Sequence, residues 1–250
     1  MPLLILITTA QFSNAQTDTT TTTVAPTVTP EIKKSIAVKW NPVALFFGNI
    51  SVLGEYNFKP KKSFTFGIGI PSEKVNTFTI DDEKESVTMK TFSAMAGYRM
   101  YMGKKPMSGF YFEPYLHYVK NEASTILEAE LNGGPENFLT TSTFKAFGVG
   151  AQLGIQALIA KRVTIDFFIL GPEANSVKHS VVARDISSTL PWDQIDEQEA
   201  RQEIEDAIGD IPLIGDKIKV TVDKNTKTVR TDYSGFLPGF RGGISIGFRF

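Results

Sequence analysis

The chain has 250 residues, enough for one domain or for one domain plus an appendage. Its 26 basic and 27 acidic side chains leave a net charge of −1, so the bulk electrostatics give no reason to expect nucleic acid as a partner. The absence of cysteine excludes disulfide frameworks, thiolate metal sites and thiol catalysis, and no apolar run reaches the roughly 18 residues of a membrane-spanning helix.

Residues 1–9 read MPLLILITT, an apolar stretch too short to span a bilayer, and they lead into Ser13-Asn14-Ala15, a small-x-small site. This is the pattern of a secretory signal peptide cut after Ala15. No Lys or Arg precedes the apolar stretch, so the true translation start is expected upstream of Met1. Residues 16–34, with Thr19 to Thr23 in a run and Pro26 and Pro30, hold too few large apolar side chains to offset the entropy of ordering. They read as a disordered, exported linker. Within it, Asp18-Thr19-Thr20 resembles a short acceptor pattern for bacterial O-glycosylation.

From residue 35 onward the chain alternates with period two, and a strand sends successive side chains to opposite faces. The last segment is the clearest: Phe240, Ile244, Ile246, Phe248 and Phe250 oppose Arg241, Gly243, Ser245, Gly247 and Arg249. The first strand sets Ile36, Val38 and Trp40 against Lys39. The second sets Ile50, Val52, Tyr56 and Phe58 against Glu55, and the third sets Phe64, Phe66, Ile68 and Ile70 against Ser63, Thr65, Gly67 and Gly69. Four more follow with Arg99, with Glu113 and His117, with Gln152 and Gln156, and with Asp166 on their polar faces, which makes eight strands. Tight connections at residues 59–62, 102–109 and 160–162 alternate with long polar ones at 71–87, 120–143 and 171–238. An even strand count, with short turns at one end and long loops at the other, is the pattern of an outer-membrane barrel.

The signal peptide, the eight alternating strands and the terminal GISIGFRF resemble the small outer-membrane β-barrels of the OmpA/OmpX type. The opening KWNPVALFFGNISVLGEYNF is similar to an uncharacterised family of gram-negative outer-membrane barrels. The resemblance covers residues 35–250 and implies an all-β fold: a transmembrane up-and-down antiparallel β-barrel of eight strands, with long extracellular loops and a short helix in the last loop. It implies the outer membrane of a gram-negative bacterium as location, outer-membrane lipid and lipopolysaccharide as surroundings, and the outer-membrane assembly machinery as a partner. For that machinery, Ile246, Phe248 and Phe250 would be the assembly signal.

Eight strands enclose a space that side chains can fill, which argues against an open pore. The inward set of Lys39, Glu55, Arg99, Glu113, His117, Asp166, Arg241 and Arg249 is read as a lumenal ion-pair network, because charges kept from water persist only when paired. No catalytic residue, metal ligand or cofactor is assigned. Gly148, Gly150 and Gly154 share the inward face of a strand, so room for bulky lumenal neighbours explains them better than a nucleotide loop does. His179 beside Ser180 and before Asp185 can be written as a Ser/His/Asp set, but adjacent residues on an extended chain point opposite ways.

The large last loop, residues 172–238, has a character of its own. Between Asp193 and Asp210 it holds eight acids against Arg201 alone, with Ile204, Ala207, Ile208 and Ile211 as the apolar stripe of a short helix, then a hairpin around Asn225. This loop could dock a surface partner, or serve as a solvated lid on the barrel mouth. The expected role is structural or surface interaction without catalysis. A lipid-modifying barrel-rim enzyme of the lipid A acylase or deacylase type, and a soluble lipocalin-like ligand carrier, are the alternatives.

Overall fold

The structure, a computed structural model, describes residues 34–80, 83–103, 105–131, 134–187, 192–193, 197–198, 200–202 and 217–250. The expected signal peptide with its cleavage site at Ala15, the linker up to residue 33, and the stripe Ile204, Ala207, Ile208 and Ile211 lie outside the described residues. Among the described residues the elements run β1 (Ser35–Asn41), the 3₁₀ helix η1 (Pro42–Phe47), β2 (Asn49–Lys59), β3 (Lys62–Pro71), β4 (Lys74–Ile80), β5 (Glu83–Tyr101), β6 (Gly109–Leu131), β7 (Gly134–Ile159), β8 (Val163–Asp185), β9 (Ile218–Asp223) and β10 (Thr228–Arg249). Residues 197–198 and 200–202 are helical, and no helix among the described residues is long and apolar enough to cross a membrane.

Eight strands close a ring in the order β1-β2-β3-β5-β6-β7-β8-β10. Every neighbouring pair is antiparallel, and β10 returns to β1 through four register pairs from Ala37↔Arg249 to Trp40↔Ile246. This is an up-and-down barrel, closed by the pairing of residues 37–40 of β1 with 246–249 of β10. The even-numbered connections are tight turns. At the other end η1 joins β1 to β2, capped by the Asn41 side chain, which accepts from the Val43 N–H at 3.0 Å, and by Gly48 in the left-handed region at φ +65°.

The period-two pattern translates directly into an outside and an inside. Phe66 is 61% and Phe240 66% exposed on the outer face, whereas Arg99 at 1% and Asp166 at 0% are sealed in the lumen. From Phe147 to Ile159 the outward side of β7 is apolar over about 40 Å of strand, which is roughly 30 Å along the axis at a tilt near 40°. That is the thickness of a bilayer hydrocarbon core.

Two features depart from the expectation. First, the segments read as long loops are largely strand: β6 and β7 run on until only residues 132–133 separate them, and of residues 172–238 only those between Asp185 and Thr228 leave the ring strands. Stretches such as Ser176-Val177-Lys178-His179-Ser180-Val181-Val182 are polar and β-branched at once, so polarity alone misassigns a strand whose outer face is polar and whose inner face mixes polar residues with the buried Val177. Beyond the ring, β4 pairs with the far end of β5, and β9 pairs with β10, forming the hairpin expected around Asn225. Second, β8 carries a bulge. Leu153 pairs with Leu170 but Gly154 with Phe168, so Ile169 and Leu170 are both exposed and the parity reverses. Thr164, Asp166 and Phe168 point inward before the bulge, and Asn175 and Val177 after it.

The parity can be tested on β10. Ile244→Arg, which places a charge on the outward face, is expected to cost about 2–4 kcal/mol in a denaturant titration of the chain folded into lipid vesicles, while Ile244→Val stays within about 1 kcal/mol. Equal stability of the two variants would show that this face does not meet hydrocarbon.

Candidate functional site

Seven of the eight ring strands send a polar group to the middle of the lumen: Lys39 from β1, Glu55 from β2, Thr65 from β3, Arg99 and Tyr101 from β5, Tyr111 and Glu113 from β6, Gln152 and Gln156 from β7, and Asp166 from β8. Each is buried, and each lies on a strand whose other face is apolar. Lys39 Nζ donates to Glu55 Oε2 at 2.6 Å, Gln156 Oε1 at 2.6 Å and Asp166 Oδ2 at 3.0 Å. Arg99 donates to Glu113 Oε2 through Nε at 2.7 Å, and through its outer nitrogen to Asp166 Oδ2 at 2.7 Å, while its guanidinium lies 3.8 Å from the centre of the Tyr111 ring. Tyr101 and Tyr111 each donate at 2.6 Å, to Glu55 Oε1 and Asp166 Oδ1, and the Thr65 hydroxyl donates to Glu113 Oε1. Every carboxylate oxygen of the three acids therefore has a donor, the condition under which a charge can stay buried.

Of the residues expected in this network, Lys39, Glu55, Arg99, Glu113 and Asp166 meet. Arg241 sits one bond further out, donating to Gln152 Oε1 at 2.9 Å, while Gln152 donates to Glu113 at 2.9 Å. His117 and Arg249 do not belong to it. The Nδ1 of His117 stands 3.2 Å from Glu173 Oε1, nearer the loop end of the lumen. The bulge turns Glu173 inward, and no parity count carried through Ile169 finds that pair. Arg249 occupies the mouth at the turn end, beside Lys161 and Arg162, with no ion-pair partner among the described residues. Tyr101 and Tyr111 were not anticipated, although they share the parity of Arg99 and Glu113.

Glycines make space for this packing. A Cβ on Gly97 would lie 2.5 Å from Glu113 Oε1, and one on Gly150 would lie 2.7 Å from the Tyr115 ring. Gly148, Gly150 and Gly154 thus face Asn175, Tyr115 and Tyr111, as lumenal crowding requires. The lipocalin-like alternative needs an apolar lining, and this charged lumen contradicts it. Among the described residues no three His, Asp or Glu side chains are arranged to hold a metal ion.

The strands beyond the apolar belt hold two further polar groupings. The His179 Nε2 lies 2.9 Å from Ser142 Oγ on the neighbouring strand, with the Phe144 ring edge-on at 5.8 Å. Ser180 points to the other face, and Asp185 is engaged elsewhere. The Asp185 carboxylate accepts from Lys227 Nζ and Trp192 Nε1, both at 3.0 Å, and from the Ser187 N–H at 2.8 Å. Burial opposes its charge, but these donors hold the carboxyl below the ordinary carboxylate range. Trp192 packs there with Ala200, Val222 and Val229, which ties the start of the helical segment to the β9–β10 hairpin.

No family model matches the chain, and no curated protein matches it. Among solved structures, the chain is similar to the crystal structure of CarO from Acinetobacter baumannii at 9% identity. The likeness covers 87% of this chain and 97% of that one, with a TM-score of 0.38.

Removing one member of the buried cluster should be costly. Arg99→Met leaves Glu55, Glu113 and Asp166 facing Lys39 alone and is expected to cost about 3–5 kcal/mol in a folding titration. The half-buried Arg241→Met should cost clearly less. Equal losses would place the electrostatic centre elsewhere.

Proposed function

We propose that the chain is an exported outer-membrane β-barrel of the small OmpA/OmpX type, serving envelope structure or surface contact, with no catalytic centre and no open pore. The inversion of the ordinary globular arrangement carries this reading: the large apolar side chains lie on the outside over a bilayer's thickness, and the ionised groups are buried at the centre. Ile246, Phe248 and Phe250, all exposed on the outer face of the last strand, are the signal offered to the assembly machinery. Lipid and lipopolysaccharide cover the belt, and residues 172–238, with their hairpin and clasp, present the surface to a partner. The lumenal cluster supports a sealed barrel, since the cavity beside Arg241 and Ser245 measures about 30 Å³, room for a water molecule or two.

A barrel-rim hydrolase is the second reading, favoured by the Ser142–His179 contact alone. That pair faces inward, away from lipid, and the nearest candidate acid in sequence, Asp185, is committed to Lys227 and Trp192.

Envelope fractionation should place the chain with the outer membrane, and the detergent-extracted protein should migrate faster on gels unboiled than boiled, with no single-channel steps in planar bilayers. A chain that stays in solution without detergent would end this reading. A fluorophosphonate probe should leave the folded barrel unlabelled, and labelling that disappears in Ser142→Ala would transfer the case to the hydrolase.

A further inference from the structure

The outer surface changes character within one step of the ladder. Tyr118, Phe147, Ser176 and Phe236 are register partners across β6, β7, β8 and β10, and on the outward face they form the last largely aromatic row of the apolar belt. Two residues further along each strand, roughly 7 Å, the partners become Lys120, Lys145, Lys178 and Ser234. Three lysines therefore stand side by side on adjacent strands, at the spacing where like charges repel.

Nearby acids neutralise only the Lys120 end of this row. Glu122 is taken by Lys120 at 2.6 Å, and Asp232 by Arg230 at 2.8 Å. Lys145 and Lys178 have no ion-pair partner among the described residues. With Lys217, Lys219, Thr143, Ser180 and the Arg230–Asp232 ion pair they line an open cavity of about 550 Å³, in which the cations outnumber the one carboxylate. A row of repelling cations directly above a greasy belt is stabilised by an anion that arrives from the membrane side.

We propose that Lys145 and Lys178, extended by Lys217 and Lys219, form a seat for the phosphate of a lipid headgroup in the leaflet at the loop end of the barrel. Acyl chains of the same lipid lie along Phe147 and Phe236, which is why a lipid fits better than a soluble phosphate. Lysine ammonium groups supply point charges for the phosphate oxygens, and the hydroxyl of Thr143 supplies a further donor. This inference rests on the membrane reading above and adds to it a defined lipid class and position.

The test uses the full chain in detergent micelles, titrated with phosphatidic acid and with phosphatidylcholine of the same acyl chains, counting bound lipid by native mass spectrometry. Wild type should prefer phosphatidic acid by about tenfold or more. The K145Q/K178Q variant should lose most of that preference, since each cation near a lipid surface is worth about fivefold. The control R184Q/K224Q, which removes two cations further out on the strands, should keep it. An unchanged preference in K145Q/K178Q overturns the proposal, as does an equal loss in the control. Displacement of the lipid by excess inorganic phosphate would show that a soluble anion is the ligand and would also overturn it. Failure here with a detergent-dependent barrel leaves the membrane reading standing, whereas a chain that needs no detergent removes both.

Discussion

Two cations and three carboxylates share the middle of the lumen within hydrogen-bond distance, and the placing of nearly every ring strand is tied to that meeting. Desolvating five ionised groups is costly, and the cost is met only because each carboxylate oxygen receives a donor from another strand, in most cases one across the lumen. A one-residue slip in any ring strand would turn its charged residue outward and its apolar residues inward. The cluster thus stabilises one register against its neighbours as well as filling the space. The closure of β10 on β1 depends on the same register, since Lys39↔Gly247 and Ala37↔Arg249 set Lys39 at the height of Glu55 and Asp166.

A single extra residue in β8 divides the lumen into two regimes. Below the bulge, Asp166 joins the central cluster. Above it, the inward positions shift by one and Glu173 and Asn175 replace what the uninterrupted count would put there. His117 finds its partner in this upper layer. The bulge also lies level with Arg241, whose guanidinium stands 4.8 Å from the Phe168 ring, so the change of parity falls where the charged core gives way to the aromatic and amide layer above it.

The exterior is banded along the axis. A belt of Phe, Ile and Leu gives way to an aromatic row, then to the lysine row, then to strands with a polar outer face that carry the Asp185 clasp. In the membrane reading proposed above, these bands would meet hydrocarbon, headgroup and water in turn. The ring strands pass through all of them without a break, so the barrel wall and the surface it presents are one sheet.

Much of this was legible in the amino-acid order. The eightfold alternation settled the strand count, the direction of each face and the inward charge of Lys39, Glu55, Arg99, Glu113 and Asp166, because side-chain direction in a strand is local and repeats every two residues. Three things were not legible. Where a strand ends cannot be read from polarity when its outer face is wet and its inner face only intermittently apolar, and β6, β7 and β8 run on through segments that read as loops. The bulge at Ile169 and Leu170 depends on which residues lie opposite in β7 and β10, and it supplies Glu173 as the partner of His117, which stands four residues along β6 from Glu113. Contacts between strands distant in sequence, Ser142 with His179 and the lysines of three adjacent strands, arise only when the ladder fixes their register, which is a property of the closed ring and of no single segment within it.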